Sequence, residues 1–327
     1  MAYTRREFGK LALTAVPAAG LLGTPLFGEG LWQGRPNSLF GGVQIGAITY
    51  SYRSLADQSA EATLKYVIDS GISAIELMGE PAEAFAGRPP AGRGGGRGVQ
   101  QTPEQIAEQR AAQQAAQAAL RTWRLSVSMD KYKALRKMYN DAGVSIYAVK
   151  LLGATMSDEE FEYVFNMAEA LGCTHTTLEL PTDEAQLKRV GDFAMKRKIY
   201  AAYHTHLQGS MDAFDRAFAI SPGNMANIDL GHYVAAGSVG GTPVQFLEKH
   251  HARISSVHIK DRKSKDNGGA NVPWGTGDTP IIDILQTMKK RQWKFPATVE
   301  LEYPVPADSS PVIETKKCVD YCAAALR

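Results

Sequence analysis

Cysteine is scarce in this 327-residue chain, with three in all: Cys173, Cys318 and Cys322. Three scattered thiols make neither a disulfide framework nor a zinc ribbon. Cys318 and Cys322 lie four apart on a helical pattern, so they share a face as core residues. An excess of charge is also lacking. Thirty-six basic and 34 acidic residues leave a formal net charge of +2, which gives no electrostatic reason to expect nucleic acid or an anionic membrane. No glycine-rich phosphate turn follows the first apolar run, "VQIGAITYS" (43–51), and its absence counts against an open dinucleotide-binding sheet. No His-Glu-x-x-His stretch offers a sequence-local metal motif.

The chain does carry a distinctive N-terminus. "TRREFGK" (4–10) pairs two arginines, and an uncharged stretch interrupted by Pro17, Gly20, Gly23 and Pro25 follows. Such a stretch suits an export signal better than a membrane span. The pattern resembles a twin-arginine signal. Residues 1–36 are therefore expected to be an export signal and linker. The protein is expected to meet the twin-arginine export machinery and to act outside the cytoplasm, in the periplasm.

From residue 43 onward eight short apolar runs alternate with amphipathic helical patterns. After the first come 73–79, 144–153, 175–180, 199–206, 225–232, 254–261 and 297–304. "SDEEFEYVFNMAEALG" opens with a capping serine and closes on Gly172, as a helix should. Eight alternating units predict parallel strands joined by right-handed crossovers, closing as a (β/α)8 TIM barrel over 37–327. One segment breaks the rhythm. "GEPAEAFAGRPPAGRGGGRGVQQ" and the helix-forming "TPEQIAEQRAAQQAAQAALRTWR" make an insertion after the second strand, 79–129. It reads equally as a lid or interaction arm and as a tolerated flexible loop.

Strand side chains alternate, so residues two apart share a face. If the flanking apolar residues pack on the helices, Glu179, Asp229, His258, Lys260, Glu300 and Glu302 face the barrel axis. His204 and His206 share one face. Carboxylates crowded with imidazoles in one small space call for a cation. Glu179, Asp229, His258 and Glu300 form a three-oxygen, one-nitrogen set suited to Mn, Co, Zn or Mg.

The order Glu, His-x-His, Asp-x-x-His, His-x-Lys-Asp and Glu-x-Glu on successive late strands resembles the xylose isomerase-like TIM barrel superfamily, the sugar isomerase/epimerase group. The resemblance spans roughly 43–304 and is carried by "LELP", "YHTH", "IDLGH", "VHIKDR" and "TVELEYP". The loop "PWGTGDTPI" (273–281) is similar to the glycine-rich turn that often follows the His-x-Lys-Asp strand. The resemblance implies metal ligands at Glu179, Asp229, His258 and Glu300. It implies substrate or supporting contacts at Glu76, His204, His206, His232 and Lys260. The arginine motif that ketose 3-epimerases carry after the seventh strand is absent in that form, and only Arg262 lies near.

The expected activity is metal-dependent isomerisation or epimerisation of a small-molecule sugar, by proton abstraction next to a carbonyl through an enediolate. Glu179 and Glu300 would serve as base and acid. A metal-dependent lyase or dehydratase on a 3-keto sugar or 3-keto-glycoside is the alternative, and a non-catalytic metal- or sugar-binding barrel is a third reading. A homo-oligomer is compatible with the sequence but not specified by it.

Overall fold

The apolar runs are strands because they are short, buried stretches bounded by glycine or polar breaks. In a computed structural model describing residues 34–90 and 102–327, all eight close into one parallel ring. The expected export signal lies outside the described residues, as does the glycine-rich 91–101 portion of the insertion. A short β1 (Leu39–Phe40) precedes the ring. The ring itself is β2 (Val43–Ile48), β3 (Ala74–Met78), β4 (Ser145–Lys150), β5 (His175–Glu179), β6 (Tyr200–His204), β7 (Asn224–Asp229), β8 (Ile254–Ile259) and β9 (Ala297–Val299). Each strand pairs in parallel with the next, and β2 pairs with β9 to close the barrel. β1, which the periodicity does not reveal, pairs antiparallel with β2 outside the ring.

Helices follow the strands on the outside. They are α1 (Ala60–Asp69), α2 (Gly79–Phe85), α3 (Pro103–Ser126), α4 (Asp130–Asp141), α5 (Asp158–Leu171), α6 (Glu184–Arg197), α7 (Asp215–Ile220), α8 (Leu230–Ala235), α9 (Pro243–His250), α10 (Ile281–Arg291) and α11 (Pro311–Ala325). Helix α5 begins at a capping box of Ser157 and Glu160 and ends on left-handed Gly172, as its sequence predicts. None of the described helices is long and apolar enough to cross a membrane. All three cysteines are buried and unpaired.

The layer between ring and helices is apolar: Val67, Leu135, Phe161, Val164, Val190, Phe246, Ile284 and Leu285 are fully or almost fully buried there. Each such side chain contributes roughly 1.5–3 kcal/mol. The ring interior differs. Tyr147 fills the space beside Gly46, where a Cβ would lie 2.6 Å from the phenol oxygen, and its hydroxyl bonds Thr298 Oγ1 at 2.7 Å. Gly46→Ala would force that pair apart. The interior is thus a polar column that ends, at the C-terminal side of the strands, in the charged residues picked out by alternation.

The described parts of the insertion are largely helical. Helix α2 follows β3 directly and buries Glu83. Helix α3 has no fully buried residue and is tied down at its last turn. Arg124 Nε bonds Glu83 Oε1 at 2.7 Å, and Trp123 packs edge-on against Tyr163.

Candidate active site at the barrel mouth

Strand register levels the site. Asp229 on β7 lies opposite His258 on β8, and Glu179 on β5 lies opposite His204 on β6. Glu300 follows the end of β9, its N–H donating to Ile259 O at 3.2 Å.

His258 is the hub. Its Nε2 lies 2.7 Å from Glu76 Oε2 and its Nδ1 3.0 Å from Glu300 Oε2. Burial alone would lower its pKa. The two carboxylates and their hydrogen bonds outweigh that and push it up to about 10, so the ring is an imidazolium with both N–H groups donating. Burial opposes ionisation of Glu76, but His258 holds its carboxyl below the ordinary range. Thr177 Oγ1 donates to Glu76 Oε1 at 2.5 Å and Asn227 Nδ2 to Oε2 at 3.3 Å.

Lys260 is 2% exposed. Its ammonium lies 2.9 Å from Asp229 Oδ2, 2.8 Å from Glu300 Oε2 and 2.5 Å from Glu302 Oε2. Despite burial, these acids hold its pKa raised. Glu300, buried but facing Lys260 and His258, is held well below the usual carboxylate range. Asp229 goes the other way. Burial, with Glu300 nearby, outweighs Lys260 and pushes it up to about 6.

Asp229 does two jobs. Oδ1 accepts the His232 N–H at 2.7 Å and so caps helix α8. Oδ2 faces Lys260 off the hydrogen-bonding direction and has no hydrogen bond among the described residues. His204 Nδ1 is likewise buried and unpartnered there, and burial holds that ring's pKa well below its ordinary value. His204, Asp229, His258 and Glu300 each offer a ligand atom within 4.8 Å of the others. Buried donor atoms left unsatisfied, beside surplus carboxylates, are what a divalent cation would complete.

The model of the xylose isomerase-like TIM barrel family matches residues 113–317. This chain belongs to that family. No curated protein matches its sequence. Solved barrels similar in fold include the probable 3-DHS dehydratase AsbF of Bacillus anthracis, with 15% identity, covering 84% of this chain and 98% of that one at a TM-score of 0.58. A sugar phosphate isomerase/epimerase from Parabacteroides distasonis ATCC 8503 shares 18% identity, covering 88% and 96% at a TM-score of 0.55. The D-psicose 3-epimerase of Clostridium cellulolyticum H10 shares 8%, covering 87% and 99% at 0.55. At such identities the likeness is one of fold.

Within this xylose isomerase-like barrel, the residues singled out by sequence all lie on the C-terminal side of the strands, and they form two adjoining groups. Glu76, Asp229, His258, Lys260 and Glu300 interlock as described. Glu179 stands apart from the other three expected ligands. Its side chain is 53% exposed, 2.9 Å from Lys150 Nζ and 3.3 Å from His206 Nδ1. His204 takes its place in the four-donor group. The rings of His204 and His206 are 5.0 Å apart, and those of His206 and His232 are 4.8 Å apart.

Several residues escaped sequence reasoning. Asn227, two before Asp229, shares its face, and the same alternation would have found it. It accepts from Ser256 Oγ at 2.9 Å, which in turn meets His175 Nε2 at 3.0 Å. Asp261 gave no such signal, since it points away from Lys260. It organises the glycine turn: Oδ2 accepts the N–H groups of Gly275, Thr276 and Gly277 at 2.8, 3.1 and 2.8 Å. Gly277 is obligatory there, because a Cβ would lie 2.0 Å from Asp261 Oδ1.

Proposed function

We propose that the barrel mouth is the active site of a divalent-metal-dependent sugar isomerase or epimerase working by proton abstraction next to a carbonyl. The observation that carries this is charge imbalance. Glu76, Asp229, Glu300 and Glu302 converge on only Lys260 and the His258 imidazolium, and ligand atoms of Asp229 and His204 are left without hydrogen bonds. Asp229, His258 and Glu300 are the ligand candidates common to the sequence pattern and the four-donor cluster. Metal content of Glu179→Gln and His204→Ala assigns the fourth. When bound, the ion supplies Lewis-acid polarisation of the substrate's carbonyl and neighbouring hydroxyl. Ligation through His258 requires its extra proton to leave.

Glu179 is the base best placed to meet a substrate, because its carboxylate is open to the mouth. Lys150 and His206 orient it. Glu300, four strands around the ring, is the carboxylate on the opposite face. Ionised beside Lys260 and His258, it acts as the acid once it has gained a proton, and His258 Nδ1, 3.0 Å away, is the neighbour that can hand it one. Base and acid on two faces give epimerisation, and one carboxylate shuttling a proton on a single face gives isomerisation. His204, His206, His232 and Lys260 orient hydroxyls.

A second reading has a specific observation behind it. A cavity of about 510 Å³ opens beyond the ends of β2 and β3, lined by Tyr50, Arg53, Gln58, Met78 and Arg88. It lies on the same face, and Arg53 Nη1 donates to Leu301 O, beside Glu300, at 2.9 Å. Such space suits a substrate larger than one sugar, so elimination from a 3-keto-glycoside is the alternative. The N-terminal export pattern also suits a non-phosphorylated substrate met in the periplasm. The test offers free ketoses and 3-keto-glycosides to metal-loaded and chelator-treated protein. New epimers or aldose–ketose pairs support isomerase action, and release of the aglycone supports the lyase. Full turnover in metal-replete Glu179→Gln would remove Glu179 as base.

A further inference from the structure

We propose that Arg262 fixes His232 in the tautomer that carries its proton on Nε2, making this N–H a hydrogen-bond donor to an oxygen of the bound substrate. Arg262 is itself held rigidly just beyond β8. Its Nε and Nη2 both donate to Gly269 O, the Nε bond being 3.0 Å, and its backbone N–H donates to Thr279 Oγ1 at 3.1 Å. Its Nη1 contacts His232 Nδ1 directly. A guanidinium has donors and no acceptor, so Nδ1 must present its lone pair. The one proton of a neutral imidazole then sits on Nε2. An imidazolium would set N–H against N–H.

The ring cannot turn away easily. The His232 backbone N–H is anchored on Asp229 Oδ1. Gly231 lets Lys260 pack against the turn, where a Cβ would lie 2.4 Å from Lys260 Cγ. Nε2 is buried and unpartnered among the described residues, with Glu302 Oε2 the nearest acid contact at 3.8 Å. A buried donor left idle is costly, and an accepting oxygen brought by a ligand satisfies it. The oxygen suited to this place is a carbonyl, hydroxyl or enolate oxygen of a polyhydroxylated carbonyl compound. The same tautomer excludes two other roles for His232. Nε2 has no lone pair with which to abstract a proton. Nor can His232 join His204 and His206 around an ion, although the three imidazoles lie close enough to share one.

Arg262 is therefore a positioning residue acting through His232. The inference rests on the sugar-carbonyl reading for its consequence, but the tautomer is read in the free protein, so the two fail separately. The chain has seven histidines. In ¹⁵N-histidine-labelled full-length protein, the pair of ring signals removed by His232→Gln belongs to His232. The expected result is protonated Nε2 and bare Nδ1 in the wild type, preserved in Arg262→Lys and lost in Arg262→Met. A wild-type ring protonated on Nδ1, or an unchanged tautomer in Arg262→Met, overturns the proposal. On a sugar that turns over, Arg262→Met should lower kcat about 100-fold with KM within about threefold, and Arg262→Lys should recover at least half of that loss on a logarithmic scale. If Arg262→Met does not fold, the wild-type spectrum still decides, together with His232→Phe against His232→Gln. Only glutamine keeps a donor there, so equal activity of the two also overturns it.

Discussion

Glu83 and Asp229 are both fully buried acids, and their surroundings differ in one respect. Around Glu83 the charges match. Arg124 Nε lies 2.7 Å from one oxygen and Arg88 Nη1 3.4 Å from the other, and the Tyr163 hydroxyl donates at 3.0 Å. Around Asp229 they do not. Four carboxylates crowd one ammonium and one imidazolium. Glu83 Oε2 and Asp229 Oδ2 each lack a hydrogen bond among the described residues, so the charge count is what separates them. A matched buried acid joins two pieces of chain, here helix α3 to the barrel. A surplus of buried acids over buried cations is a place built for something else to bind.

Asp229→Asn strikes the unmatched nest. It should cut turnover by about 10³-fold or more and reduce bound metal, with the far-UV circular dichroism spectrum unchanged. Wild-type turnover in this variant would erase the distinction between the two nests. Arg124→Ala strikes the matched nest. Leaving Glu83 short of a partner should cost on the order of 3 kcal/mol in urea unfolding, while turnover stays within about threefold. If activity collapsed with it, helix α3 would belong to the site as a lid, and the comparison would fail from the other side.

A third prediction concerns His175, in the polar column below the mouth. Burial pushes its pKa down to about 4, against about 6.5 unfolded. The unfolded chain therefore takes up the proton first as pH falls. Stability is fully present above about 6.5 and declines as pH drops toward 4. His175→Gln should lessen this acid sensitivity by about 1 kcal/mol at pH 5.5, seen as a smaller difference in unfolding free energy between pH 8 and pH 5.5.

The barrel was legible because period-2 and period-3.6 patterns alternate eight times, with side-chain caps opening helices such as α5 and α9. The same alternation carried Asp229, His258, Lys260 and Glu300 to one face, and it applies equally to Asn227. Other features depend on contacts between distant elements. Glu83 reads as one of many acids in an alanine-rich segment until Arg124, 41 residues on, closes on it. Arg262 meets His232 only because the chain turns back after β8 to pair Arg262 with Asn271. The parity of Glu179 was legible, but its distance from the other ligands was not. Alternation gives a face and not the side chain's final partners: Glu179, level with His204 at the tip of β5, meets Lys150 and His206 instead.

The central claim is that the mouth moves a proton next to a sugar carbonyl. Its most direct test is solvent exchange in D2O, read by NMR on candidate ketoses and keto-sugars incubated with metal-loaded protein. The account predicts deuterium at the carbon beside the carbonyl, stopped by a chelator and restored by added divalent metal. Tight sugar binding without any deuterium incorporation would contradict it and leave a binding barrel in its place.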